Sequence, residues 1–265
     1  MCGTCGCGQP DSKQDHEHRH GHQHEHQHEH HHHGETESRR VSVEMDLLDQ
    51  NRAYASKNRG YFNQHHIFTL NMVSSPGSGK TTLLVAMIRA LVDRVEVNVI
   101  EGDQQTSLDA ERISEAGARA HQINTGQMCH LDAHMVGHAL EVLAPADNAF
   151  LVIENVGNLI CPAAFDLGEQ LRAVLLSVTE GEDKPLKYPD MFASASVVVI
   201  NKCDLLPYLD FDLHRCRENI RRINSDAEIV ELSATTGAGM DAWLQWLNGE
   251  RDRFTTTATE QDVEA

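Results

Sequence analysis

At 265 residues the chain can hold one large domain or two small ones, either with an adequate buried core. A formal charge of −18, histidine taken as neutral, argues against nucleic acid or an anionic membrane as the main partner. No apolar run could span a bilayer, no secretory leader opens the chain, and seven scattered cysteines suit a reducing compartment, so a cytoplasmic protein is expected.

Residues 1–40 carry almost no apolar material and are expected to be disordered without metal, because burial cannot offset the entropy of ordering them. They are dense in ligands instead. Cys2, Cys5 and Cys7 place three soft thiolates on one short loop. With a fourth nitrogen donor they suit square-planar Ni(II), and zinc would bind them tetrahedrally. Eleven histidines follow between His16 and His33, interleaved with Glu and Gln. Neutral imidazoles in such a tract hold several borderline metal ions at moderate affinity, which points to storage.

From Val41 to Gln64 the sequence turns helical in flavour, with Met45, Leu48 and Ala55 on one face. Short β-rich runs come next: "IFTLNMV" (67–73), "VEVNVI" (95–100), "FLVIE" (150–154), "VVVIN" (197–201) and "AEIVEL" (227–232). They lack polar alternation, as strands buried on both faces do. Helical stretches over 80–91, 130–143, 213–223 and 240–247 separate them. Strand and helix in alternation predict an α/β fold, a mostly parallel sheet flanked by helices, over 41–250. Residues 251–265 read as a polar tail.

The first strand leads into "SSPGSGKTT" (74–82), a phosphate loop in which Ser74 replaces the usual first glycine. Gly77, Ser78 and Gly79 let backbone amides wrap phosphate oxygens, with Lys80 at the β/γ position, Thr81 on Mg²⁺ and Thr82 beside it. After the second strand, "EGDQQTSLD" reads as a switch segment, with Asp103 as candidate for the magnesium shell or for orienting water. Thr106 and Asp109 stand behind it, and a solvated loop carboxylate is an equal reading of Asp109. "FLVIENVG" supplies Glu154 to hold the metal through water and Gly157 to sense the γ-phosphate; relatives of a D-x-x-G pattern carry Asp at the first position. "NKCD" then follows a buried strand. Asp204 can accept from the ring N–H and amine that guanine has and adenine lacks, Asn201 can reach the other edge, and the Lys202 stem can cover the base. "SAT" places Ser233 and Ala234 about thirty residues later. These motifs together describe a GTPase core.

A second group of ligands lies inside that core. Cys129 and His130 precede a helix, His134 and His138 follow His130 at helical spacing, and Cys161 lies seven residues beyond Glu154. Two thiolates and one or two imidazoles bind zinc or nickel, within one subunit or shared across a two-fold axis. Cys203 and Cys216 read as structural.

"CGTCGC", the His-rich stretch, "SSPGSGKTTLL", "EGDQQT", "GQMCHLDAHMV", "ENVGNLICPAAFDLGE" and "NKCDLLPY" together resemble the hydrogenase nickel-incorporation GTPases, the HypB family. The resemblance implies GTP hydrolysis, nickel held at the N-terminal cysteines, a regulatory metal site of Cys129, His130 and Cys161, and nucleotide-promoted homodimers. It also implies delivery of nickel to a hydrogenase maturation partner and the hydrogenase large subunit. Two other readings stand beside it. A urease-type nickel GTPase carries Cys-Pro-His where this chain has Cys161-Pro162-Ala163. A nickel store with incidental GTPase activity would not need every nucleotide motif intact.

Overall fold

The computed structural model describes residues 33–103, 108–126 and 128–264, with side chains over 45–102, 108–126 and 128–257. Its contacts divide the chain into Met1–Val41 and Ser42–Ala265. In the first unit the described backbone is helical from His33, so helix begins before the expected end of disorder at 40. No glycine or proline interrupts residues 35–59, which lets α1 run as one helix over His33–Gln64.

The elements after α1 are β1 (Phe68–Ser74), α2 (Lys80–Leu91), β2 (Val97–Asp103), α3 (Leu108–Glu115), β3 (Arg119–Asn124), α4 (Ala133–Leu143) and β4 (Phe150–Glu154). Then come β5 (Leu171–Ser177), two short helices α5 (Lys184–Lys187) and α6 (Pro189–Ala193), β6 (Val197–Asn201), α7 (Leu213–Ile223), β7 (Glu228–Glu231) and α8 (Met240–Glu264). The strands form one parallel sheet in the order β3-β2-β4-β1-β5-β6-β7.

Every residue of β1, β4 and β6 is buried, which explains their unbroken apolar runs. Alternate residues serve opposite faces. Leu70, Met72, Val99, Val152, Leu175 and Val199 pack with α2, α3 and α8. Ile100, Leu151 and Ile153 pack under α1 and α4, while Val174, Leu176, Val198 and Ile200 pack under α6 and α7. Each such side chain contributes about 1.5–3 kcal/mol on burial, so removing one core residue of β1 or β4 is felt by the whole sheet.

Residues 251–264, expected as a polar tail, continue α8 instead. The anchor is Phe254, which packs against the core with its ring 5.9 Å from that of Phe68. Because the sheet is parallel, all strands end on one edge. Ser74, Asp103, Asn124, Glu154 and Asn201 therefore deliver their following loops to a single crevice, where open α/β sheets bind ligands.

Candidate nucleotide cleft and metal cluster

The loop between β1 and α2 wraps the floor of a cleft of about 610 Å³. Gly77 through Thr82 line it together with Glu154, Gly157 and Lys202. Lys80 Nζ lies 3.3 Å from Glu154 Oε1, and the Thr81 hydroxyl donates to the same oxygen at 2.8 Å. The second oxygen, Oε2, is buried without a hydrogen-bond partner among the described residues. A buried carboxylate oxygen left open beside a threonine hydroxyl fits a hydrated divalent cation. Asp109, read from sequence with even odds, is brought into the site: Thr81 Oγ1 also lies 3.2 Å from its Oδ2. Asp103 ends β2 at this edge, but its side chain lies outside the described residues, as does all of Thr106.

The "NKCD" segment meets the phosphate loop closely. Asn201 is buried, donating to the Ser78 carbonyl at 2.9 Å and accepting from the amides of Lys202 and Ala234 at 2.8 and 3.1 Å. Its side chain is thus a brace joining three loops. The approach demands glycine at position 79, whose φ is +95° and where a Cβ would lie 2.6 Å from Asn201 Nδ2. Lys202 Nζ donates to the Gly77 carbonyl at 2.6 Å, laying its stem along the cleft. Asp204 lies partly buried in the first turn of the short helix Cys203–Tyr208, and Ser233 Oγ accepts from the Thr236 amide at 3.2 Å.

Across the same edge, the loops after β3 and β4 converge over the end of β2. Gly102 permits this, since a Cβ there would lie 2.8 Å from the Leu131 side chain. Cys129 Sγ and Cys161 Sγ are 2.8 Å apart, and Cys129 Sγ is 3.9 Å from His130 Nδ1. Ligand atoms of Cys129, His130 and Cys161 all lie within 4.8 Å of one another. The shared hydrogen bond with Cys161, reinforced by burial, pushes the Cys129 thiol up. Burial holds His130 down, favouring the neutral ring that ligates metal. The ring is steadied by Phe165, 4.0 Å between centroids. Three soft or borderline donors with an open side suit zinc or nickel.

His134 does not join this group. Its Nε2 lies 3.1 Å from that of His138, and its ring meets Tyr54 at 4.6 Å. The reason is helix register: Asp132 caps α4, accepting from Met135 N at 2.8 Å, so His130 is outside the helix and the i+4 relation never applies. Cys216 is buried and its thiol is pushed up to about 12, chiefly by burial, consistent with a structural role. Cys2, Cys5 and Cys7 lie outside the described residues.

The nucleotide-binding domain model described as CobW/HypB/UreG matches residues 68–231, more than half of the chain. A hydrogenase maturation factor HypB from Rhizobium leguminosarum bv. viciae is 60% identical over 212 residues, covering 80% of this chain and 71% of that one. The chain belongs to the HypB family of hydrogenase maturation factors. A crystal structure of HypB from Helicobacter pylori in complex with nickel superposes with a TM-score of 0.72 at 37% identity, covering 77% of this chain and 96% of that one. HypB from Archaeoglobus fulgidus gives a TM-score of 0.72 at 39% identity, covering 77% and 99%.

Several residues of this HypB-family site lie beyond those its motifs single out. Glu101 and Arg112 line the phosphate cleft, Arg112 held by Asp109 at 3.0 Å. Glu101 opens the "EGDQQT" segment but has no spacing that assigns it a role, and Arg112 belongs to no motif, so the fold is what places both at the cleft. Four asparagines, Asn51, Asn58, Asn155 and Asn158, frame the cysteine loops, and the repeated N in "ENVGN" was their sole trace in sequence.

Proposed function

We propose that this chain hydrolyses GTP and uses the cycle to bind and release nickel during maturation of [NiFe]-hydrogenase. One observation carries the reading. A single eight-residue stretch, Glu154 to Cys161, begins in the phosphate cleft and ends in the metal cluster. Movement at one end is felt at the other.

GTP lies along the loop 74–82, with its guanine read by Asp204 and covered by the Lys202 stem. Lys80 neutralises charge at the β/γ phosphates, and Thr81 with Glu154 would hold Mg²⁺. The metal supplies charge neutralisation on the transferring phosphoryl group. Asp103 or Asp109 orients the attacking water. Nickel is cargo: Cys129, His130 and Cys161 take it, with zinc as competitor, and a donor from a second copy can close the shell in a homodimer. Cys2, Cys5, Cys7 and the histidine tract load and store it. The acceptor is a hydrogenase maturation partner and then the hydrogenase large subunit, in the cytoplasm. Among the described residues no helix is long and apolar enough to cross a membrane.

The test is nickel affinity in the full-length chain with Cys2, Cys5 and Cys7 each changed to Ser, so that thiolate-to-nickel absorption reports the internal cluster alone. Chelator-buffered nickel is titrated with GDP and with a non-hydrolysable GTP analogue. The affinities should differ by roughly 5- to 150-fold, the usual range for coupled sites. Equal affinities would reduce the cluster to a structural or dimer-bridging site.

A further inference from the structure

Between Glu154 and Cys161 only two side chains are polar, Asn155 and Asn158, and both leave their own segment to grip the other ligand loop. Asn155 is 1% exposed, and its Oδ1 accepts from Leu131 N at 3.1 Å and from Val156 N at 3.0 Å. Asn158 Nδ2 donates to the Cys129 carbonyl at 3.3 Å, while its Oδ1 accepts from Ile160 N at 2.9 Å. The Cys129 carbonyl belongs to the peptide before His130, and the Leu131 amide to the peptide after it. Both peptide planes flanking His130 are therefore held by side chains from the segment beside the nucleotide.

The far ends of the two ligand loops are held differently. Asn51 of α1 accepts from Ala133 N at 2.8 Å and donates to the Asp166 carbonyl at 2.8 Å, bridging the loops in one amide. Asn58 repeats the bridge, donating to the carbonyls of Ala133 at 2.8 Å and Leu167 at 3.0 Å. Buried Arg172, paired with Glu169 at 2.7 Å, donates to the Phe165 carbonyl at 2.8 Å. None of these three residues lines the phosphate cleft. Each loop thus has one end fixed to the body of the domain and one end tied to a segment that reaches the phosphates.

Gly157 lies between the two asparagines, lines the cleft, and sits so near the phosphate loop that a Cβ would be 3.1 Å from Pro76. Any shift of Gly157 that accommodates a γ-phosphate pulls on Asn155 and Asn158 together. We infer that Asn155 and Asn158 are the positioning residues that transmit nucleotide state to the metal cluster, by turning the two peptides that aim His130 and Cys129 toward Cys161. This inference rests on the coupling proposed above and names the contacts that carry it. Neither asparagine belongs to the metal cluster or lines the phosphate cleft, so each acts only through the loop it holds.

The experiment uses the same full-length, Ser-substituted chain and the same nickel titration in both nucleotide states. Asn158→Ser keeps an acceptor for the Ile160 amide but is too short to reach the Cys129 carbonyl. Nickel should still bind through Cys129, His130 and Cys161, nickel-free GTP turnover should be unchanged, and the affinity ratio between states should fall toward one. By linkage, the effect of nickel on nucleotide affinity should vanish by the same factor. Asn51→Ala, on the fixed side, should weaken nickel equally in both states and leave the ratio intact. Asn155→Ser should repeat the Asn158 result; if this buried change prevents folding, partly exposed Asn158 decides alone. A ratio preserved in Asn158→Ser, or affinities lowered equally in both states, overturns the inference while leaving coupling intact. A ratio of one already present in the parent chain overturns the coupling and the inference with it.

Discussion

Glu154 shows how much one methylene can do. At the end of a strand buried on both faces, its longer arm brings Oε1 to both Lys80 and Thr81 and leaves Oε2 open toward the cleft. Lys80→Ala or Thr81→Ala should therefore cut GTP turnover by about 10²- to 10³-fold, the cost of removing one preorganised electrostatic contact. Nickel on the N-terminal Cys2, Cys5 and Cys7 should be untouched, since they share no ligand with the phosphate loop; turnover near the parent rate in either variant would remove these residues from catalysis. Asp204 makes a different kind of prediction. Changing it to Asn converts an acceptor into a donor, so the preference for GTP should collapse, by as much as ~10⁴-fold, in favour of xanthosine triphosphate. Competition binding with the two nucleotides reads this directly, and an unmodified chain that bound ATP as well as GTP would refute the guanine assignment. At this scale the sequence was most legible where a motif fixes both residue type and spacing, as in "SSPGSGKTT" and "NKCD". It was least legible where geometry depends on a helix start. A count of four residues pairs His134 with His130, and the Asp132 cap breaks that count.

The helices and strands differ in how openly they announce themselves, for physical reasons. Strands β1, β4 and β6 are buried on both faces and read as apolar runs. Strand β3, "RAHQIN", lies at the sheet edge with partly exposed residues and has no apolar signal to read. Strand β5, "LRAVLLS", is apolar enough, but a short apolar run with Arg172 inside it cannot be told from buried helix by periodicity. Helix α1 carried only a weak stripe because much of its packing is polar: Asn51, Asn58 and Arg59 grip the loops that follow the metal ligands. The Arg59–Asp166 pair, 2.8 Å apart, belongs to this clamp. Burial pushes the Asp166 carboxyl up, but the Arg59 guanidinium and the Gly168 amide outweigh it and hold the group below its ordinary value. A carboxyl lowered in the folded state contributes stability above its ordinary titration range and loses it as pH falls through the folded value. Asp166→Asn should thus lower Tm at pH 7, by less than about 1 kcal/mol of stability for so exposed a pair, and the gap should close below about pH 4. Thermal melts of the two proteins from pH 3 to 7 check this. A gap independent of pH would mean that the carboxylate charge contributes nothing to the clamp.

On the scale of the whole molecule, the two ligand-rich regions differ in where they fall relative to the nucleotide motifs. Cys129, His130 and Cys161 sit on loops rooted in the same sheet edge as the phosphate loop, within the span 68–231 that the family model matches. The histidines from His16 to His33 precede that span, all but His33 outside the described residues, and no nucleotide motif falls among them. Ligands on a loop that continues from the phosphate cleft suit transfer, while a dense run of ligands apart in sequence from the nucleotide motifs suits capacity. If each ion takes about three imidazoles with other donors completing its shell, eleven histidines hold roughly three or four nickel ions. Deleting residues 16–33 should lower the nickel bound at saturation by about that number, as read by metal analysis after equilibrium dialysis. GTP turnover and the affinity ratio of the internal cluster should both be unchanged. In a cell the loss should show as reduced hydrogenase maturation only when nickel is scarce, because plentiful metal loads the cysteine sites directly. Maturation that fails at high nickel as well would show that the tract takes part in transfer, and a changed affinity ratio would show that it communicates with the switch.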